Sequence, residues 1–182
     1  MEISEAQREV RQVYAGGFPG LLISSLVWFA SSVLGSWVSW RAAMWTLVIG
    51  GPSIFLGLEI LLRVIGHRPG LRQDNPLNPL VLQLVFLLPI LLPLVIAAFL
   101  HRADWLYPAF MIALGAHFLP FMFLFGLWQF GALGIVFAGS AIALGMSGNE
   151  HFAIAGWYGA LVQLLFALML LNAVRHENRK EH

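Results

Sequence analysis

The chain has no cysteine and few charged residues. Because none of its 182 residues is cysteine, disulfides, thiolate nucleophiles and cysteine-ligated metals are excluded. Only 10% of the residues are Asp, Glu, Lys or Arg, against roughly 25% in an ordinary soluble domain. No continuous basic face is present, so nucleic acid is not expected as a partner. The scarcity of charge indicates that lipid, or the chain's own helices, surround most residues.

The sequence also lacks the signatures of soluble catalysts. It contains no Gly-x-Ser-x-Gly elbow, no phosphate-binding loop, no dinucleotide fingerprint and no EF-hand. We therefore predict no cofactor and no metal site, and nothing favours a catalytic mechanism of the soluble type.

What the chain has in abundance is apolar sequence. Hydrophobic residues make up 59% of the total, and they fall into runs long enough to cross a bilayer. The sequence thus predicts an all-α polytopic membrane protein, a bundle of six transmembrane helices. The predicted spans are residues 14–38, 42–65, 79–100, 106–129, 131–146 and 152–174.

Two features of these spans carry further predictions. The connection at 129–131 is short, so the fourth and fifth spans should be antiparallel neighbours. The fifth span is rich in small residues, including Gly134 and Gly139, which let another helix approach closely. We expect the fifth span to be the best-buried helix.

The termini are predicted to lie in the cytoplasm. Residues 1–13 resemble an interfacial helix in which Ser4 and Gln7 form a capping box, and residues 175–182 form a polar tail. With six spans, eight of the ten lysine and arginine residues fall on the side of the termini: Arg8, Arg11, Arg63, Arg68, Arg72, Arg175, Arg179 and Lys180. Only Arg41 and Arg102 lie on the opposite side. This asymmetry is the one that the positive-inside rule requires.

Residues 114–121, Leu-Gly-Ala-His-Phe-Leu-Pro-Phe, place a histidine and a proline in the middle of the fourth span. An ionisable side chain at the bilayer midplane is costly, so His117 is a candidate for binding a ligand or handling protons. The alternative is a structural role, in which a neutral imidazole bonds a carbonyl that a proline has freed and thereby fixes two helices together.

Four other residues lie about ten positions from an end of their span, which is about 15 Å deep at 1.5 Å per residue. They are Ser24, Ser53, Pro89 and Gln163. With His117 they predict a polar layer inside the bundle. We predict that His117, Gln163, Ser24 and Ser53 bind the ligand, although such residues also hydrogen-bond structurally between helices.

Glu59 is the only carboxylate within a predicted span, and Arg63 follows it four residues later in the favourable order for a helical ion pair. An ion pair at the lipid interface is the simpler interpretation, and a carboxylate that couples transport to protons is the alternative.

The predicted outer side contains two histidines and two carboxylates, His101, Asp104, Glu150 and His151. If they converged, they would be an acceptable zinc set. Their spacing matches no zinc signature, so solvated loop residues are the favoured interpretation.

The first and fourth spans share a pattern. Each has a tyrosine at its first or second residue and carries its polar residue ten positions after that tyrosine, Tyr14 to Ser24 and Tyr107 to His117. The pattern raises the hypothesis of a 3+3 inverted repeat, an arrangement that places transporter sites at the midplane.

Two stretches carry a resemblance to a known family. Residues 5–17, Glu-Ala-Gln-Arg-Glu-Val-Arg-Gln-Val-Tyr-Ala-Gly-Gly, and residues 115–121, Gly-Ala-His-Phe-Leu-Pro-Phe, resemble a bacterial family of small integral membrane proteins of unknown function. The resemblance covers nearly the whole chain. It implies the bacterial inner membrane and no particular activity.

Three functional hypotheses follow. The first is that a midplane site binds or transports a small, mainly apolar molecule, with His117 and Gln163 orienting it. The second is a membrane enzyme acting on a lipid or isoprenoid, with His117 or Glu59 as acid or base. The third is a scaffold without a ligand that pairs with a partner or with a copy of itself. Membrane lipid is an expected partner under all three.

Overall fold

The computed structural model describes residues 1–66, 70–147 and 152–180, and this part of the chain is helical throughout, with no strand. The first three α-helices are α1 (Ile3–Val13), α2 (Phe18–Trp37) and α3 (Trp40–Val64). The other four are α4 (Asn78–His101), α5 (Leu106–Phe125), α6 (Trp128–Met146) and α7 (Ile154–Lys180). Short 3₁₀ turns at Ala15–Gly17 and Ala103–Trp105 lead into α2 and α5.

Helices α2 to α7 are each long and apolar enough to cross a membrane. The prediction of an all-helical, membrane-type bundle with six candidate spans is thus confirmed. Eight of the twelve predicted ends lie within two residues of the observed ones, since helix ends are the least defined part of a hydropathy pattern. The first span begins at Phe18 rather than at 14, and the last continues to Lys180 rather than ending at 174, so most of the predicted polar tail is helical.

The turn between the fourth and fifth spans was predicted wrongly. Helix α5 ends at Phe125 rather than at 129, and α6 begins at Trp128 rather than at 131. The chain leaves α5 at Gly126, whose φ of +65° lies in the left-handed region that glycine adopts at a helix C-terminus. Hydropathy gives no sign of this break because both sides of it are apolar.

Helix α2 packs between α3 and α7. Glycines allow both approaches. Gly159 of α7 receives the ring of Trp28, since a Cβ at that glycine would lie 2.5 Å from the ring. Gly50 of α3 receives Val27 of α2, since a Cβ at that glycine would overlap the valine side chain.

Helix α5 packs between α6 and α4, so the fourth and fifth spans are the predicted antiparallel neighbours. A Cβ at Gly115 would lie 2.8 Å from the carbonyl oxygen of Gly134, and the reverse contact has the same distance. Half of the apolar stretch of the fourth span is buried, against 39% for the fifth. The prediction that the fifth is the best buried was therefore wrong, because α5 also contacts α4 and α1.

The centre of the bundle is Trp28, which is 1% exposed. Its ring contacts Tyr107 and Phe110 of α5 and Phe137 of α6, with centroid distances of 5.7, 5.8 and 5.8 Å. Helices α3 and α4 are peripheral, since only 11% of each span is buried.

Helix α1 begins after Glu2, which makes no side-chain cap. The predicted capping box is therefore absent, and Gln7 instead donates a hydrogen bond to the carbonyl of Phe123 at 2.6 Å. Ala6 and Val10 of α1 are fully buried. The N-terminal helix is thus packed onto the end of the bundle.

Candidate functional site

His117 is half-buried on α5, and its Nδ1 atom is buried with no hydrogen-bond partner among the described residues. The only other buried side-chain atom of this kind in that part of the chain is Oε1 of Gln129. A buried polar atom without a partner costs about 1–3 kcal/mol. The Nδ1 atom therefore marks a position where a bound molecule or water would supply the missing hydrogen bond.

The helical period of α5 turns His117 away from α6. Gly115, two residues earlier, makes the close contact with α6, and two residues are about 200° of helical rotation. His117 instead shares a face with Leu114 and Phe121, three before it and four after it.

Two aromatic rings lie beside the imidazole toward the C-terminal end of α5. The ring of Phe121 contacts it edge-on with centroids 4.9 Å apart, and the Phe118 ring lies at 6.1 Å. Phe121 in turn packs against Phe125 and Phe130, which stack on each other at 5.0 Å. We call Phe121, Phe125 and Phe130 the aromatic plug.

Ser24 and Gln163 are brought together, as their shared depth suggested. The Ser24 hydroxyl donates to Oε1 of Gln163, and Nε2 of Gln163 donates to the Gly159 carbonyl at 3.2 Å. Ser25 adds a bond to the Ala160 carbonyl at 2.9 Å. These bonds join α2 to α7, and no hydrogen bond among the described residues connects them to His117.

Ser53 and Pro89 have the predicted depth but lie on the outside. Both are exposed, and the Ser53 hydroxyl donates to the Gly50 carbonyl of its own helix at 2.7 Å. The layer of five polar residues is therefore not continuous. The depth of a residue along a helix does not determine whether its side chain faces the bundle. Helices α3 and α4 each turn only a narrow side inward.

Glu59 and Arg63 form the predicted helical pair on α3, with Oε2 and Nη2 separated by 3.7 Å. Their side chains are 47% and 72% exposed, so the bundle encloses neither. At that exposure an ion pair contributes little to stability. The part of the chain that is described holds no hydrogen bond between this pair and His117.

A second buried polar network was not predicted. The Tyr107 hydroxyl lies 2.8 Å from Oγ of Ser31, and Ser31 donates to the Ala43 carbonyl at 2.9 Å, so that α2, α3 and α5 meet. Ser32 bonds back to the Trp28 carbonyl at 2.8 Å. The available signal was the spacing of the serine pairs 24–25 and 31–32, since residues seven apart lie on one helix face.

The predicted outer cluster is represented by His101 and Asp104 alone, because Glu150 and His151, like Arg68, lie outside the described residues. Asp104 accepts two hydrogen bonds from Arg102, at 2.5 and 3.1 Å. Among the residues that the structure places, no group of three His, Asp or Glu side chains is arranged to hold a metal ion.

Comparison with known proteins gives one family. Residues 3–173 match a family that is described as a family of unknown function, DUF7010. No curated protein matches the chain, and no solved structure does.

Proposed function

The chain belongs to the DUF7010 family of unknown function, and we propose that it binds or transports a small, mainly apolar molecule at His117, inside a helical membrane bundle. The observation that carries the proposal is the buried Nδ1 atom of His117. A neutral imidazole nitrogen donates or accepts one hydrogen bond, according to its tautomer. The ligand therefore needs one polar group for this nitrogen and an apolar body that packs beside Phe118 and Phe121.

The order of helix packing supports a transporter-like interpretation. Helix α2 packs against α3 and α7, and α5 packs against α6 and α4. If the first three spans are exchanged for the last three in order, the α2–α3 pair becomes the α5–α6 pair, and the α2–α7 pair becomes the α5–α4 pair. This relation favours the hypothesis of a 3+3 inverted repeat, in which Ser24 and His117 are equivalent. Ser24 has its partner in α7, whereas His117 is left for a ligand.

The test is mass spectrometry of the small molecules and lipids that co-purify with the wild type and with His117→Ala. The matched control is Ser53→Ala, at the same predicted depth but on the exposed side of α3. We expect one defined species to be present in the wild type and the control and lost from His117→Ala. Identical extracts from all three equally folded proteins would contradict the proposal.

A second assay discriminates the enzyme hypothesis. A lipid or isoprenoid enzyme with His117 or Glu59 as acid or base would convert a fraction of lipid added to the purified protein. That conversion would be lost in His117→Ala or Glu59→Gln and kept in Ser53→Ala. Glu59 pairs with Arg63 on the exposed side of α3, so His117 is the better candidate of the two.

The scaffold hypothesis, which includes pairing with a second copy, requires a small-residue surface that is free to contact a partner. Gly134 already packs against Gly115 within the chain, so a bulky residue there would disturb the fold under every hypothesis. Gly139 has nothing within 4 Å of its Cβ position. Loss of self-association in Gly139→Leu, with no change in extracts from His117→Ala, would favour the scaffold.

A further inference from the structure

Helix α1 caps the cytoplasmic end of α5. Nε2 of Gln7 donates to the Phe123 carbonyl at 2.6 Å, and Nη1 of Arg11 donates to the Phe125 carbonyl at 2.7 Å. The last carbonyls of a helix have no partner within it and carry partial negative charge, so a guanidinium is well suited to bind them. Gly126 permits the approach, because a Cβ there would lie 2.7 Å from Oε1 of Gln7.

The other side of α1 holds the segment that leads into α4. The Glu9 carboxylate accepts hydrogen bonds from the Arg72 backbone at 2.7 Å and from Nδ2 of Asn75 at 3.0 Å. Asn75 is 3% exposed and also bonds to the Ala6 carbonyl at 3.3 Å. Helix α1 thus ties the beginning of α4 to the end of α5, across the boundary between the first and last three spans.

The turn Ala15–Gly17, which connects α1 to α2 and is called the hinge below, contacts the aromatic plug. Ala15, Gly16 and Gly17 have φ values of +49°, +65° and +82°, so three successive residues are left-handed. A Cβ at Gly17 would lie 2.7 Å from Phe130 and 3.2 Å from Phe125. The backbone of the hinge therefore packs directly on the rings that continue from His117 to the cytoplasmic end.

From these contacts we propose that α1 is the latch of a cytoplasmic gate. The gate itself is the aromatic plug, which closes the route between His117 and the cytoplasmic surface. Helix α1 holds the plug shut through Gln7 and Arg11, which fix the end of the helix that carries Phe121 and Phe125. Release of α1 lets this end move and opens the route. The inference rests on the proposed function, since it supplies the entrance to that site.

The absence of native cysteine allows a direct test by thiol labelling. A reporter cysteine replaces Leu114, which is 5% exposed and lies one turn beyond His117. A small, charged methanethiosulfonate reagent reacts only where water reaches the thiol. In Gln7→Ala/Arg11→Ala we expect labelling of this reporter to be at least about tenfold faster, because two hydrogen bonds that hold the gate, one of them from a charged donor, are lost.

The matched control is Ser4→Ala/Arg8→Ala, which removes the same charge from the exposed side of α1 and should leave the rate unchanged. A second and milder variant, Gln7→Ala, removes only the hydrogen bond to the Phe123 carbonyl and should accelerate labelling by a smaller factor. Two further reporter cysteines distinguish opening of the gate from local fraying of α5 and from unfolding. Leu124→Cys reports the end of α5, and Ala141→Cys, in the core of α6, should stay unlabelled in a folded protein.

An unchanged rate at position 114 would overturn the gate. Acceleration at 124 without acceleration at 114 would also overturn it, because α1 would then be only a helix cap. If the double variant labels at 141 and is therefore unfolded, Gln7→Ala decides by the same two criteria. Labelling needs no ligand, so acceleration at 114 with no His117-dependent species in the extracts would support the gate and contradict the proposed function.

Discussion

The buried Gln163 side chain depends on Ser24 for one of its hydrogen bonds. Gln163 is fully buried, and its carbonyl oxygen depends on the Ser24 hydroxyl. Truncating only one partner leaves a buried polar atom without a bond, whereas replacing both with apolar groups is nearly neutral.

We therefore expect Ser24→Ala to lower the free energy of unfolding by about 1–2 kcal/mol. Ser24→Ala/Gln163→Leu should recover most of this loss. Ser53→Ala, whose hydroxyl is exposed and bonds only to its own helix, should change stability by less than about 0.5 kcal/mol. Denaturant unfolding in detergent micelles measures all three. A double variant that is no more stable than Ser24→Ala alone would contradict the assignment.

The Tyr107 hydroxyl makes the second buried hydrogen bond between helices whose contribution to stability can be isolated. Its hydroxyl bonds Ser31 in the core, and its ring packs on Trp28. Tyr107→Phe keeps the ring and should cost about 1 kcal/mol, since Ser31 retains its bond to the Ala43 carbonyl. Tyr158→Phe, on a half-buried tyrosine, is the control and should be neutral. Equal melting temperatures for the two variants would show that the Ser31 bond contributes nothing.

Helices approach each other closely at a few glycines, and their positions determine which replacements the bundle tolerates. Gly134 and Gly139 lie on the same helix, yet the first faces the backbone of α5 and the second faces open space. Their sequence context is similar, since each precedes an alanine by four residues.

Gly134→Ala should destabilise the protein by about 1–3 kcal/mol, because its methyl group would force α5 and α6 apart. Gly139→Ala should be neutral or stabilising, since alanine favours the helix and meets no neighbour. Thermal unfolding of the two variants side by side measures the difference. A larger loss at Gly139 would indicate that a partner covers that face.

A glycine in the hinge between α1 and α2 should also resist replacement. Gly16 has a φ of +65°, and a Cβ there would lie 2.2 Å from Cγ2 of Val174. Gly16→Ala should therefore cost about 2 kcal/mol or more, from left-handed strain together with the clash. Gly51→Ala, a helical glycine with nothing within 4 Å, is the matched control and should not destabilise. Unfolding midpoints that coincide would contradict the observed hinge geometry.

The arrangement of the whole molecule in a membrane is a prediction from charge. Both termini and the connection between α3 and α4 should be cytoplasmic, because these segments carry most of the arginines. Single cysteines at Val38 and Ala103 should react with an impermeant thiol reagent in intact cells. Cysteines at Gln73 and His176 should react only after the membrane is permeabilised. The reverse pattern would invert the topology and place the proposed gate on the outer side.

Much of this arrangement could be predicted from the sequence. Hydropathy predicted the six candidate spans, because apolar length is matched to bilayer thickness. It also singled out His117, since an ionisable group in an apolar run is conspicuous whatever surrounds it. The turn at Gly126 was missed because a left-handed glycine leaves no mark on hydropathy.

Only the tertiary structure decided which side of each helix faces inward. In a soluble protein the polar face of a helix reveals its orientation, but these six helices have mean hydropathies of 1.6 to 2.8 and too few polar residues to mark a face. Ser24 and Ser53 are therefore equivalent in the sequence, although one bonds Gln163 in the core and the other lies on the surface. The N-terminal helix does have an apolar face, which holds the buried Ala6 and Val10, but this pattern does not say what that face contacts. Its contacts with the ends of α4 and α5 bring together residues more than sixty positions apart, and no local pattern encodes them.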